Sequence, residues 1–127
     1  MTLSILICTL PERIGYLSLL LQALSPQKTD EVEILTESDN GTISTGRKRN
    51  ILLQRSKGKY VVFIDDDDMI APTYVKDILT AAESNPDAIV FNGIMTTNGT
   101  DERKWFISKD YSYEAKNGAY YRYRIIS

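Results

Sequence analysis

The chain has 127 residues, a length that fits one domain and leaves no room for two full hydrophobic cores. Its apolar content of 43% and charged content of 25% are ordinary for a globular protein, while the net charge of -2 argues against a nucleic-acid-binding surface, which carries a basic excess. The sequence contains no histidine, which excludes a histidine base, a histidine metal ligand and a Ser-His-Asp relay.

Cys8 is the only cysteine, so an internal disulfide is excluded and a reducing compartment is favoured. No apolar run approaches the ~20 residues that a membrane span needs, and the first residues lack the basic segment of a secretory signal. We therefore expect a cytoplasmic protein, with the cytoplasmic face of a membrane as the alternative location.

The first predicted elements are a strand and a helix. Residues 3–9 form an apolar run that predicts a central strand, and it stops at Pro11, which cannot donate to a sheet ladder. From Ile14 the leucines fall at helical spacing, which predicts a helix with one face on the sheet. Pro26 ends this helix.

A second strand and a second helix follow. Residues 32–35 predict a short strand that ends in a turn at residues 36–41, and a helix is predicted to start near Gly46 and to end by Gly58. Its first turn carries three consecutive cations, which oppose the helix dipole. They either collect positive charge for an anionic ligand or form a solvated turn that pairs with Asp39 or the acidic loop.

The remaining elements complete an α/β pattern. Residues 60–64 predict a short strand buried on both faces, and a helix begins at Ala71-Pro72-Thr73 and ends at residues 85–86. A fourth strand is predicted at residues 88–91, with an extension to residue 95, and residues 104–107 are predicted as its hairpin partner. The order predicts an open, mostly parallel sheet with helices on both faces and a mixed or antiparallel C-terminal part. In such a sheet the predicted strand ends at residues 9–13, 38–41 and 65–68 converge on one edge.

Four carboxylates, Asp65 to Asp68, follow the third predicted strand directly. Ligands of open α/β sheets bind just beyond the carboxyl ends of the strands, and a hard divalent cation is the usual way to neutralise such a cluster. The pattern favours a metal site that holds a phosphate-bearing substrate over a solvated acidic turn. Because the sequence has no Walker A loop and no Gly-x-Gly-x-x-Gly fingerprint, we expect a cation, and not a glycine cradle, to hold the phosphates.

Four segments of the chain form a set: Ser4 to Thr9, the Asp39-Asn40-Gly41 turn, Gly46 to Asn50, and Gly58 to Asp68. Together they resemble the family 2 glycosyltransferases, which have the GT-A fold. The resemblance covers roughly residues 3–95, and its most specific part is an acidic motif that follows a Gly-Lys-Tyr strand and an Arg-Asn helix.

The resemblance implies a role for each candidate residue. The nucleotide base would lie between the Thr9 loop and Asp39, Asp66 would match the ribose position, and Asp67 would bind Mn²⁺ or Mg²⁺ with Asp65 beside it. Arg47 or Lys48 would neutralise the diphosphate. The nucleotide-binding set that follows is Thr9, Pro11, Arg13, Asp39, Arg47, Lys48, Asp65 and Asp66, and the metal set is Asp65 and Asp67.

The implied reaction is transfer of a sugar from a nucleotide-diphosphate sugar to an acceptor glycan or lipid-linked sugar. We expect the donor to be a UDP-sugar. An inverting enzyme of this kind also needs a carboxylate base, and we assign none, because the later carboxylates match no motif. They are Asp101, Glu102, Asp110 and Glu114. We therefore expect a single domain from a short or C-terminally truncated member, with a donor-binding half at residues 1–95 and a partial extension at residues 96–127.

Two other interpretations stay open. A phosphatase of the haloacid-dehalogenase type would use Asp65 as nucleophile and Asp67 as general acid, although its motif usually sits on the first strand. A catalytically incomplete protein would bind the donor without transferring the sugar. Sheet edges left without a second half would favour a homo-oligomer.

Overall fold

The computed structural model describes residues 1–90 in full and, beyond them, the backbones of four strands at residues 93–97, 100–107, 114–116 and 119–122. The chain divides into two compact units, Met1–Asn85 and Pro86–Ser127. Within the residues so described, no helix is both long enough and apolar enough to cross a membrane.

The first unit is an open sheet of three parallel strands with helices. The strands lie in the order β2-β1-β3, so the first strand of the chain is the central one, as predicted. The strands are β1 (Leu3–Thr9), β2 (Val32–Ser38) and β3 (Tyr60–Phe63), and the helices are α1 (Ile14–Leu24), α2 (Thr45–Arg55) and α3 (Tyr74–Ala82). Single turns of 3-10 helix occupy Pro11–Arg13 and Ser25–Gln27. The predicted α/β class is confirmed.

The core is built around β1, which is buried on both of its faces. Leu3, Ile5 and Ile7 point to one side of the sheet and Leu6 to the other, and all four are almost fully buried. The helices add further buried side chains at helical spacing. The main ones are Leu17, Leu20 and Leu24 of α1, Leu52 of α2, and Val75 and Ile78 of α3.

The second helix has the predicted extent and a clear N-terminal cap. The Ser44 hydroxyl accepts a hydrogen bond from the Arg47 N–H at 3.2 Å, which satisfies one of the free donors of the first turn. The helix packs against β1 and β2 and ends at Arg55, three residues before Gly58.

The third strand differs from the prediction in length and burial. It ends at Phe63, and Val61 is 43% exposed, so the expectation of a strand buried on both faces is wrong. The physical reason is the position of β3, which pairs with β1 and stands at one end of the order β2-β1-β3. The helix after it also starts later than predicted, at Tyr74, because Ala71 to Thr73 form a turn closed by the Tyr74 N–H.

Gly58 fixes the approach of β3 to β1. Its N–H donates to the Ser4 hydroxyl at 2.8 Å, and a Cβ added there would lie 2.5 Å from the Ser4 backbone nitrogen. The Ser4 hydroxyl in turn donates to Glu33, which also accepts from the Lys57 N–H. These contacts lower the pKa of Glu33, with the Ser4 hydrogen bond as the largest cause.

The second unit contains a four-stranded sheet in the order β4-β5-β7-β6, with mixed strand directions. Its strands are β4 (Gly93–Thr97), β5 (Thr100–Ile107), β6 (Glu114–Lys116) and β7 (Ala119–Arg122). The antiparallel pairing of β4 with β5 confirms the predicted hairpin. The strand predicted at residues 88–91 is wrong, because residues 88–90 are not in a strand and pairing with β5 begins at Gly93; residue 91 lies outside the described residues.

Candidate functional site

Three strand ends of the first unit meet at the carboxyl edge of the sheet. Thr9 at the end of β1 bonds to Asp66 beyond β3 and, through its backbone carbonyl, to Lys48. Lys48 also pairs with Asp39, which follows β2. The convergence of these three loops, predicted from the parallel order alone, is therefore present.

Asp66 points into the protein and is held on both of its carboxylate oxygens. Its side chain is 6% exposed, the Arg13 Nε donates to the two oxygens at 2.9 and 2.8 Å, and the Thr9 hydroxyl donates to one of them at 2.9 Å. Burial alone would raise the pKa of Asp66, but the hydrogen bonds from Arg13 and Thr9 outweigh it, so the pKa is lowered. Asp66 therefore stays a carboxylate at neutral pH.

The other three carboxylates of the loop point outward and lie together. Asp65, Asp67 and Asp68 are exposed and can each offer an oxygen within 4.8 Å of the others. The loop that presents them is a tight turn, closed by the Asp68 N–H donating to the Asp65 carbonyl at 3.0 Å. Although Asp68 is exposed to solvent, partial desolvation of its carboxylate, followed by the neighbouring charge of Asp65, raises the pKa of Asp68.

This donor set fits a hard divalent cation. Carboxylate oxygens are the ligands that Mg²⁺ and Mn²⁺ prefer, and the mutual repulsion of Asp65, Asp67 and Asp68 is relieved by positive charge. Asp66 is the exception in the motif, because its oxygens already accept from Arg13 and Thr9.

Lys48 is a buried cation that links two strand ends. Its ammonium nitrogen lies 2.6 Å from Asp39 Oδ1 and donates to the Thr9 carbonyl at 3.1 Å, with the Lys48 side chain 5% exposed. Asp39 also accepts from the Ile43 N–H at 2.7 Å. The Lys48 hydrogen bond, followed by that of Ile43, holds the pKa of Asp39 below its usual range. The three cations at the start of α2 had two interpretations, an anion site or a turn that pairs with acidic residues. For Lys48, the pairing with Asp39 is the one that the structure shows.

The remaining candidate residues lie at the same edge with fewer contacts. Arg47 is exposed in the first turn of α2, while Arg49 stacks its guanidinium 5.3 Å from the centre of the Phe63 ring. Pro11 begins the 3-10 turn that carries Arg13, and it is exposed. Of the three cations at the start of α2, Arg47 is therefore the one that faces solvent.

Two residues of this region were not selected from the sequence. Asp68 joins the outward carboxylates, and the run of four acids gave no sign of which one would turn inward. Gln27 anchors the chain beyond the acidic loop, since its amide donates to the Ala71 carbonyl at 3.0 Å and accepts from the Val75 N–H at 2.9 Å. A glutamine after Pro26 gives no signal of this role.

The fold and site define an open parallel α/β protein with a charged site at the carboxyl edge of its sheet. Glycosyl transferase family 2 matches residues 20–126, which is most of the chain and includes Asp39, Lys48 and the whole acidic loop. The chain belongs to this family of glycosyltransferases, and its parallel sheet with helices agrees with the GT-A, Rossmann-like fold. Comparison with curated proteins finds no match, and comparison with solved structures finds none either.

Proposed function

We propose that the protein binds a nucleotide-diphosphate sugar through a divalent cation at the acidic loop and transfers the sugar to an acceptor. The observation that carries this proposal is the outward grouping of Asp65, Asp67 and Asp68 at the edge where three strand ends meet, in a chain of the glycosyltransferase family. That position is where open α/β sheets bind their ligands.

The acidic loop would hold Mn²⁺ or Mg²⁺ through Asp67, with Asp65 and Asp68 completing the protein ligands. When bound, the cation supplies positive charge that neutralises the diphosphate as it leaves. The inward Asp66 fixes the loop through Arg13 and Thr9, so the outward carboxylates keep their grouping without a ligand.

The nucleotide would lie across the ends of β1 and β2. Asp39, kept ionised by Lys48, accepts hydrogen bonds only, and the Thr9 loop with Pro11 forms the opposite side. Because Lys48 is committed to Asp39 and to the Thr9 carbonyl, we assign the diphosphate contact to Arg47 and Arg13. Residues 1–95 remain our proposed donor-binding half.

The finer parts of the proposal concern the reaction and its setting. We propose an inverting transfer to an acceptor glycan or lipid-linked sugar of cell-surface polysaccharide synthesis, in the cytoplasm or at the cytoplasmic face of a membrane. A UDP-sugar is the proposed donor and a homo-oligomer the proposed state. Family membership supports a nucleotide-sugar donor in general, and it favours transfer over the phosphatase interpretation of Asp65 and Asp67.

The test is a thermal shift with UDP, GDP and other nucleoside diphosphates, each with and without Mn²⁺. At 100 times its dissociation constant a ligand adds about 2.7 kcal/mol of stability. We expect a Mn²⁺-dependent shift for one nucleotide that Asp67→Asn abolishes and Asp30→Asn, an exposed carboxylate between elements, leaves intact.

The outcomes separate the alternatives. A shift that survives Asp67→Asn would refute the proposed metal ligand. A shift without release of nucleoside diphosphate from any UDP-sugar in the presence of glycan acceptors would favour the catalytically incomplete protein. Hydrolysis of p-nitrophenyl phosphate that depends on Asp65 would favour the phosphatase.

A further inference from the structure

Arg13 connects the inward and outward carboxylates of the acidic loop. Its Nε donates to both oxygens of the buried Asp66, and its Nη2 lies 3.4 Å from Asp67 Oδ2. The guanidinium also stacks over Tyr16, with its central carbon 4.9 Å from the ring centroid. The Arg13 guanidinium therefore contacts two aspartates of the loop, the inward Asp66 and the outward Asp67.

The two ends of this arginine are not equally tight. The Asp66 end is buried, with charge-assisted hydrogen bonds of 2.8 and 2.9 Å. The Asp67 end is a longer contact to a side chain that is 53% exposed, where water screens the attraction. Any competitor for Asp67 would therefore displace the Nη2 end first and leave the Nε end in place.

From this asymmetry we propose that Arg13 is a built-in counter-cation that competes with the divalent ion for Asp67. Without the ion, Arg13 neutralises part of the charge of the loop and keeps Asp67 occupied. When an ion binds, Arg13 pivots on Asp66, releases Asp67 and presents its Nη groups to an anion. The proposal rests on the proposed function, because the anion would be the donor diphosphate.

This arrangement makes the cation and the donor cooperative. In the absence of nucleotide, the divalent cation must displace Arg13 from Asp67 and bind despite repulsion from the guanidinium charge. With a nucleoside diphosphate present, the displaced guanidinium gains a partner, and the repulsion is screened. Loss of the Arg13 charge should therefore strengthen cation binding in the absence of nucleotide and weaken nucleotide binding in the presence of the cation. A purely structural role of Arg13 would weaken both.

The test measures the dissociation constant of Mn²⁺ alone, from the electron paramagnetic resonance signal of the free ion. We expect Arg13→Gln to lower this constant about tenfold, the change that charges of +1 and +2 about 5 Å apart produce in a water-like medium. Arg13→Lys, which keeps the charge, and Arg55→Gln, which removes a charge that pairs with Glu37, should change it less than about twofold. In the presence of Mn²⁺, Arg13→Gln should weaken UDP or GDP binding.

The outcomes distinguish this inference from the proposed function. If wild type binds Mn²⁺ and Arg13→Gln binds it equally or more weakly, the competition is overturned and the metal site stands. If neither protein binds Mn²⁺, both the competition and the metal part of the proposed function are overturned.

A measurement on the wild type does not depend on how well a variant folds. In nitrogen-15 spectra, Mg²⁺ should speed the rotation of the Arg13 terminal nitrogens while its Nε–H stays protected by Asp66. Arg13→Lys identifies the signals by their disappearance. Unchanged signals at saturating Mg²⁺, or loss of the Nε–H protection, would overturn the proposal.

Discussion

Replacement of Gly58 by alanine should be among the most destabilising single methyl additions in the first unit. The added Cβ would lie 2.5 Å from the Ser4 nitrogen, 2.7 Å from the Ser4 hydroxyl and 2.8 Å from the Leu3 carbonyl carbon. Two of these neighbours are backbone atoms of the central strand, which cannot rotate away. The start of β3 must therefore move away from β1.

The expected cost has two parts. Forcing a methyl group into a packed site costs about 1–3 kcal/mol, and loss of the hydrogen bond from Gly58 to Ser4 adds about 1 kcal/mol. We therefore expect a loss of about 2–4 kcal/mol in the free energy of unfolding, measured by urea titration. For a unit of this size the melting temperature should fall by about 8 °C or more.

Gly46→Ala is the matched control. Gly46 lies in the first turn of α2 with no heavy atom within 4 Å of an added Cβ, and alanine is the better helix former. This substitution should stabilise the protein by up to about 1 kcal/mol. Equal effects of the two substitutions would refute the close approach at Gly58.

Three further predictions concern the site and its pH response. Thr9→Val removes the hydroxyl that donates to buried Asp66 and should cost about 1.5–3 kcal/mol in urea titration, whereas Thr9→Ser should cost less. The folded pKa values of Asp66 and Asp39 are below the ordinary 3.8, so these two carboxylates stabilise the folded protein above about pH 4. This stabilisation should be lost on acidification, and an unfolding free energy that does not change between pH 6 and 3 would contradict the prediction. Burial, aided by the charge of Asp68, raises the pKa of Tyr74 to about 12 from 10.0. The free energy of unfolding should therefore fall as the pH rises from about 10 to 12. Ultraviolet titration of wild type and Tyr74→Phe should identify the phenol of Tyr74 as a group that loses its proton near pH 12.

The sequence predicted the central strand and the meeting of strand ends because both follow from patterns along the chain. A mostly apolar run such as residues 3–9 buries both of its faces best in a middle position of the sheet. The strands at residues 32–38 and 60–63 then pair with it in parallel, which brings their following loops to one edge.

The errors arose where a distant partner decides the outcome. The apolar run at residues 60–64 looked buried, but β3 stands at one end of the order β2-β1-β3 and Val61 is exposed. The run at residues 88–90 has strand-like composition, yet pairing with β5 starts the strand at Gly93. Short apolar runs do not reveal which segment will pair with them.

The direction of each acidic side chain was equally hidden. Four consecutive aspartates are identical in sequence, and only the position of Arg13 and Thr9 turns Asp66 inward. Lys48 looked like its neighbours in a basic run, and its burial depends on Asp39 from another loop. The roles assigned to these residues in donor and metal binding remain proposals.

The central place of the first strand also orders the folding of the first unit. Ser4 of β1 contacts Glu33 of β2 across 29 residues, whereas Thr9 contacts Asp66 across 57 residues. Nearly doubling the enclosed loop adds about 0.6 kcal/mol of closure entropy, so we expect β1 and β2 to associate before β3 docks. During synthesis β1 leaves the ribosome first, yet one of its edges stays unpaired until residue 63 has followed. We therefore expect the carboxyl edge with Thr9, Arg13 and Asp66 to close late, and local opening to begin there.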